Sequence, residues 1–263
     1  MTVDRRPRPP VALLVPAALG AAFVVLPLVG LLQRAPWGDL GEQLTTPVVR
    51  DALALSLVTS VAATGISVVL GVPLAWVLAR VPFPGRALVR GAVTLPMVLP
   101  PVVGGAALLF ALGRRGLVGS WLDDAFGVQL PFTTAGVVVA NTFVAMPFLV
   151  VSVEGALRAG DRRYEDAAAT LGAGRWAVLT RVTLPLVRPS LVAGALLCWA
   201  RALGEFGATI TFAGNLPGRT QTMPLAVFLA LERDRGAAIA LSLVLVAISL
   251  TVLVLLRDRW LRV

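Results

Sequence analysis

The polar chemistry of this chain is concentrated in one stretch, Tyr164–Pro185, set between two long apolar runs. Its order is Asp166-Ala167-Ala168, then Gly172, then Val182 and Leu184-Pro185, with Glu165 beside the first acid and arginines at Arg162, Arg163, Arg175 and Arg181. Acidic residues in a first turn suit the positive end of a helix dipole, and alanine is the strongest helix former. Gly172 can end such a helix in a left-handed conformation. Residues 175–184 then form a second short helix, stopped by Pro185. A helix–glycine–helix elbow with a flat alanine face suits a groove on another protein, with arginines rimming the contact. The chemistry on offer is recognition, not bond-making. The simpler alternative is an amphipathic interfacial hairpin that only joins two spans.

A second constellation is Arg201 and Glu205, four residues apart and therefore on one helix face. Both lie in an apolar run, where a charge is costly and by default functional. The pair either neutralises itself and fixes its helix or contacts a ligand, and self-neutralisation is favoured. Other chemistries are excluded by composition. All 23 basic residues are arginine and there is no histidine. Without lysine there is no Gly-x4-Gly-Lys phosphate loop, and without histidine no Ser/His/Asp triad, zincin site or histidine proton relay. The single cysteine, Cys198, allows neither an intrachain disulfide nor a cysteine-cluster metal site. No catalytic residue, metal ligand or bound cofactor is therefore expected, and an intrinsic enzyme is not.

The elements that position these residues are membrane spans. The chain is 57% hydrophobic and 14% charged, with apolar runs near the roughly 20 residues that cross a bilayer. Six spans are predicted, at 11–32, 52–79, 88–113, 133–156, 189–212 and 236–256, with a cytoplasmic loop over 157–188. Proline and glycine interrupt most of them. Placing both termini and loops two and four inside puts fifteen arginines inside and seven outside, with Arg201 within a span. The positive-inside rule then sets both termini in the cytoplasm, and the +9 charge is a topology signal rather than a nucleic-acid footprint. The run after Arg5-Arg6-Pro-Arg8 is too long for a signal-peptide core and is read as an uncleaved first span. The short basic tail from Arg257 is expected to carry no regulatory domain. Loop two, Val81–Arg86, is a tight internal turn; loops three (114–132) and five (213–235) are external, the last rich in turn residues. Trp121, Trp176, Trp199 and Trp260 fall near span ends or the elbow, and interface anchoring is read for most. The fold class is all-α: one polytopic membrane domain, 1–263, with about six transmembrane helices and a cytoplasmic helix pair.

The spacing Asp166-Ala-Ala-x3-Gly172-x9-Val182-x-Leu184-Pro185 resembles the cytoplasmic coupling motif of the membrane subunits of ABC importers. That family usually has glutamate where this chain has Asp166 and isoleucine where it has Val182, so Glu165 and Asp166 both stand as the operative carboxylate. Thr94-Leu-Pro96-Met-Val-Leu-Pro100-Pro101-Val-Val-Gly104 resembles the proline-rich third span of oxyanion permeases. Ala202-Leu-Gly204-Glu205-Phe206-Gly207-Ala-Thr209-Ile-Thr211-Phe, with the turn from Ala213 to Leu225, resembles molybdate permeases, and sulfate permeases have a similar run. Together these cover most of residues 50–230.

The resemblance implies a pore-forming permease subunit of a molybdate- or tungstate-type importer, acting as a homodimer in the cytoplasmic membrane. A separate ATPase would carry ATP and Mg, and an extracytoplasmic oxyanion-binding protein would supply affinity. The ATPase would dock on Glu165, Asp166, Ala167, Ala168, Gly172, Leu184 and Pro185. Pro96, Pro100 and Pro101 remove backbone donors, and irregular backbone at membrane depth needs protein or a water-filled path around it. With Gly104, Gly204, Glu205, Gly207 and Thr209 they are candidates for pathway and gate; ordinary close packing is the alternative for the glycines and threonines. A strongly binding charge in a pore would trap a dianion, so no high-affinity site is expected in this chain. Asn215, Pro217 and Arg219 are candidates for docking the binding protein. The rival readings are a sulfate or thiosulfate importer, an ion-coupled secondary transporter and a membrane scaffold.

Overall fold

A computed structural model describes residues 11–260, so the Arg5-Arg6-Pro-Arg8 segment and Arg262 lie outside the described residues. Every regular element among them is helical. The order is α1 (Val11–Gln33), α2 (Leu40–Thr45), α3 (Pro47–Arg80), α4 (Arg86–Val98), α5 (Pro101–Leu112), α6 (Gly119–Phe126) and α7 (Thr134–Ala159). Then come α8 (Arg163–Thr170), α9 (Arg175–Val178), a π turn (Leu179–Thr183), α10 (Leu184–Leu203), α11 (Gly207–Phe212), α12 (Met223–Arg233) and α13 (Arg235–Trp260).

Among the described residues, four helices are long and apolar enough to span a bilayer: Ala12–Gln33, Pro47–Arg80, Thr134–Ala159 and the continuous run Arg175–Leu203. They overlap the residues of the first, second, fourth and fifth predicted spans, and α13 overlaps the sixth. The third span is broken, as its prolines require. After α4, Leu99 and Pro100 are extended, and Pro101 opens α5, where a missing N–H costs nothing.

The main core is the bundle of α3, α7 and α10. Its seam is made of small residues: Ala63, Gly71, Ala75 and Ala79 on α3, Ala145 on α7, and Gly194, Cys198 and Ala202 on α10, with Leu78, Leu149, Val150 and Val153 filling between. Small side chains let helix backbones approach, which is how apolar helices gain contact when lipid is as apolar as they are. A Cβ on Gly194 would lie 2.8 Å from Ser152 Cβ, so that position fixes the α7–α10 spacing. A second cluster joins Val49 and Ala52 of α3 to Met223 and Ala226 of α12 and Leu241 of α13. By contrast, the spanning window of α1 buries none of its residues. It is apolar all round, as a lipid-facing helix must be.

Three expectations are corrected. The segment after Gly172 is not a short helix stopped by Pro185. Its hydrogen bonds shift to five-residue spacing, with Leu184 N–H donating to Leu179 O, and the helix continues through Pro185 into α10. A π turn absorbs the register change where proline supplies no donor. The fifth span is not one helix over 189–212, because it breaks at Gly204–Phe206 before α11. Loop five is rich in turn residues up to Gln221 and then forms α12, whose Met223 and Leu225 are buried. Finally, Trp199 is not an interface anchor; it lies within the bundle and its indole N–H donates to Ser60 Oγ at 2.9 Å.

Candidate functional site

The elbow begins where α7 ends. The Asp161 carboxylate accepts the Arg163 N–H at 2.9 Å and starts α8. The helix closes with Gly172 at φ 86°, where Gly172 N–H donates to Ala169 O and Ala173 N–H to Ala168 O, both at 3.0 Å. This is a Schellman closure, and its left-handed residue is the reason glycine sits at 172. Beyond it α9 turns back toward the bundle.

The two neighbouring carboxylates of α8 point in different directions. Glu165 is turned inward: its Oε1 accepts Arg80 Nη2 at 2.9 Å and Thr183 Oγ1 at 3.1 Å. The Arg80 and Glu165 side chains are only 10% and 19% accessible. One carboxylate thus ties α8 to the C-terminal end of α3 and to the π turn. Asp166 is exposed, beside exposed Ala167 and Ala169 and half-buried Ala168. Leu184 is half-buried and Pro185 exposed. The elbow also shows two large apolar side chains to solvent, Leu171 at 88% and Trp176 at 76%. Leu171 escaped sequence reasoning. Its signal is position, directly before the left-handed glycine, where a side chain projects from the tip. A nearby ion cluster fixes the base of α4, with the Glu154 carboxylate accepting from Arg90 of α4 and from Arg158 one turn along α7.

Deeper in the bundle the two broken spans pair. A Cβ on Gly105 of α5 would lie 2.7 Å from Thr211 Cβ and 2.8 Å from Ala208 O of α11. A Cβ on Gly207 would lie 2.8 Å from Pro101 Cβ. Each glycine therefore brings one broken span onto the other. Gly104 is buried with Phe143 close by, whereas Gly204, Pro100 and Pro101 are exposed. Pro96 is half-buried inside α4. Thr209 is fully buried and donates to Asn141 Oδ1 of α7 at 3.4 Å, so it sits in the packing rather than on the open face. Glu205 is buried at the break, where its Oε1 accepts the Ala208 N–H at 2.7 Å and caps α11.

On the opposite side, loop five is held by its own backbone. Leu216 O accepts the N–H groups of Arg219, Thr220 and Gln221, and Thr134 Oγ1 donates to Arg219 O at 2.9 Å. Buried Met223 N–H donates to Ser56 Oγ at 2.7 Å, joining the loop to α3. Pro217 and Arg219 are exposed at the tip, and Asn215 is half-buried.

A helical elbow at one end and a pair of broken spans in the centre are joined by the same helix, α10. The sequence pattern of the family described as "Binding-protein-dependent transport system inner membrane component" matches residues 67–263. The chain belongs to that family. As an inner membrane component it is a multi-pass membrane protein. It is 51% identical over 216 residues to the "Molybdenum transport system permease protein ModB" of Mycobacterium tuberculosis, covering 81% of each chain. It is 38% identical over 213 residues to the "Sulfate transport system permease protein CysT" of Escherichia coli, covering 80% of this chain and 76% of that one. Among solved structures, a bacterial ABC transporter that imports the acidic polysaccharide alginate superposes with a TM-score of 0.74 at 20% identity, over 96% of this chain and 94% of that one. That likeness establishes the shared permease fold.

Proposed function

We propose that this chain is the permease subunit of an ATP-driven molybdate importer, working as a homodimer with both termini in the cytoplasm. A separate ATPase, which holds ATP and Mg, docks on the elbow formed by Asp166, Ala167, Ala168, Leu171, Gly172 and Pro185. Glu165 and Leu184 hold that elbow to the membrane bundle. An extracytoplasmic oxyanion-binding protein docks over Asn215, Pro217 and Arg219. The observation that carries the reading is the inward Glu165 beside the outward Asp166. A merely connecting hairpin has no need to anchor one carboxylate to α3 while presenting its neighbour, an alanine face and an apolar tip to the cytoplasm. The higher identity to the molybdenum permease than to the sulfate permease favours molybdate as cargo.

Movement of the elbow travels along α9, the π turn and α10 to the break at Gly204–Phe206, where α11 is packed on α5. Closure of the ATPase pair would thereby switch the two broken spans between inward- and outward-facing arrangements. The test is molybdate uptake into proteoliposomes holding this chain and its ATPase, with loaded binding protein outside and ATP inside. Uptake that needs ATP and resists excess sulfate is expected. Uptake abolished by sulfate moves the cargo to sulfate, and uptake without ATP in an assembled complex removes the importer reading.

A further inference from the structure

We infer that Arg201 is a transient contact for the transported oxyanion at the break in the fifth span, and that Glu205 positions it. The inference rests on the anion-importer reading above and adds a residue that selects and passes the cargo.

The two partners of this ion pair are not equivalent. Glu205 has a side chain only 1% accessible, and both of its oxygens are occupied. Oε1 accepts the Ala208 N–H, and Oε2 pairs with Arg201 Nη1. Arg201 keeps 28% of its side chain accessible, and among the described residues Glu205 is its one carboxylate partner. The negative charge is buried; the remaining guanidinium edge is not. Arg201 lines an open groove of about 310 Å³ with Pro101, Val102, Gly204, Phe206 and Gly207. The groove is open on one side and wide enough to admit a tetrahedral oxyanion.

The groove lies where both spans are broken, between Pro101 and Gly204–Gly207. Irregular backbone at membrane depth requires protein or water beside it, and an arginine at that depth cannot face lipid. Two independent costs therefore keep this open face off lipid, and in the homodimer proposed above it faces the path between the two copies. Arginine suits the cargo, since its planar fork of N–H donors matches tetrahedral oxyanions bidentately. Glu205 keeps the contact weak. A guanidinium already sharing its charge with a buried carboxylate attracts a dianion without retaining it, which conduction demands.

The test uses the whole complex in proteoliposomes and counts anions moved per ATP hydrolysed. Removing Arg201 alone would strand a buried carboxylate, so the first variant is the neutral double substitution Arg201→Gln with Glu205→Gln. The glutamine carbonyl can still accept the Ala208 N–H. The complex should assemble and melt as the wild type does, while molybdate moved per ATP falls about tenfold or more, the scale of one lost charge-assisted hydrogen bond. Glu205→Gln alone, which leaves the arginine unopposed, should slow turnover and lower the apparent KM. If the double variant does not assemble, Arg201→Lys decides: loss of the fork should lower anions per ATP several-fold. Wild-type stoichiometry in the double variant, or in Arg201→Lys where that is the deciding variant, overturns the assignment. Absence of oxyanion uptake by the wild-type complex instead overturns the importer reading itself, so the two failures are distinct.

Discussion

Truncating Glu165 to alanine tests how the elbow is anchored. The substitution leaves the Arg80 guanidinium, 10% accessible, without its counter-ion, and removes the acceptor of Thr183 Oγ1. Arg80 Nε is already buried without a partner, so nothing nearby compensates. Breaking a fully buried ion pair from one side costs about 3–5 kcal/mol. Here the carboxylate side is 19% accessible, and water relieves part of that penalty. About 2 kcal/mol for the pair and about 0.5 kcal/mol for the hydroxyl bond are then expected. At 1.4 kcal/mol per decade, some 2.5 kcal/mol corresponds to roughly a sixtyfold rise in the population of the undocked elbow. Hydrogen exchange on the assembled complex reads this directly. Amides of α8 and the π turn should exchange faster by about that factor, while those of α7 in the core bundle do not change. ATP hydrolysis should continue with uptake no longer matched to it. Asp166→Ala should leave exchange unaltered in the isolated permease and weaken ATPase retention instead. Arg80→Ala with Glu165→Ala should cost less than the two single effects added, because no charge is left stranded. Equal exchange in Glu165→Ala and wild type, or the same defect in Asp166→Ala, would refute the division of labour between the two acids.

Gly172→Asp places a charged side chain at φ 86°, costing about 1–2 kcal/mol locally and obstructing the docking face, so uptake should be lost at normal expression; wild-type uptake would count against the elbow as the docking site. Gly105→Ala adds a methyl 2.7–2.9 Å from Thr211 and Ala208 and should destabilise the α5–α11 contact by about 1–3 kcal/mol, read as a lower melting temperature with reduced uptake. Leu171→Ser should weaken ATPase binding without changing the melting temperature of the permease alone, because Leu171 is 88% exposed and packs on little within this chain. The Asp123 carboxyl is held below its ordinary 3.8, first by the Gln129 hydrogen bond and then by Arg114. Its contribution to loop three is therefore present above the ordinary carboxylate range and lost only as pH falls through the depressed value, so protection in α6, after correction for the intrinsic pH dependence of amide exchange, should be flat from pH 7 to about 5.

What the sequence could determine was local. Runs of apolar residues placed the spans, because a bilayer demands length and hydrophobicity whatever the packing. Pro100-Pro101 foretold a break in the third span and Gly172 a left-handed turn, since ring closure and a missing Cβ constrain the backbone by themselves. The fifth span carried no such mark. Its break depends on Glu205 capping α11 and on Gly207 resting against Pro101, more than a hundred residues away in the chain. In the same way, Glu165 and Asp166 are neighbours of like charge that no spacing rule distinguishes. Glu165 turns inward because Arg80, 85 residues earlier, arrives beneath it at the end of α3. Pro185 read as a helix stop until a π turn absorbed it, and Trp199 read as an anchor until Ser60 of α3 met its indole N–H. Composition and covalent geometry thus settled that the chain crosses the membrane, and roughly where it bends. Which side chains face a partner, the bundle or the open path was decided by helices brought together from distant parts of the sequence, because each orientation is the lowest-energy choice only once its neighbour is present.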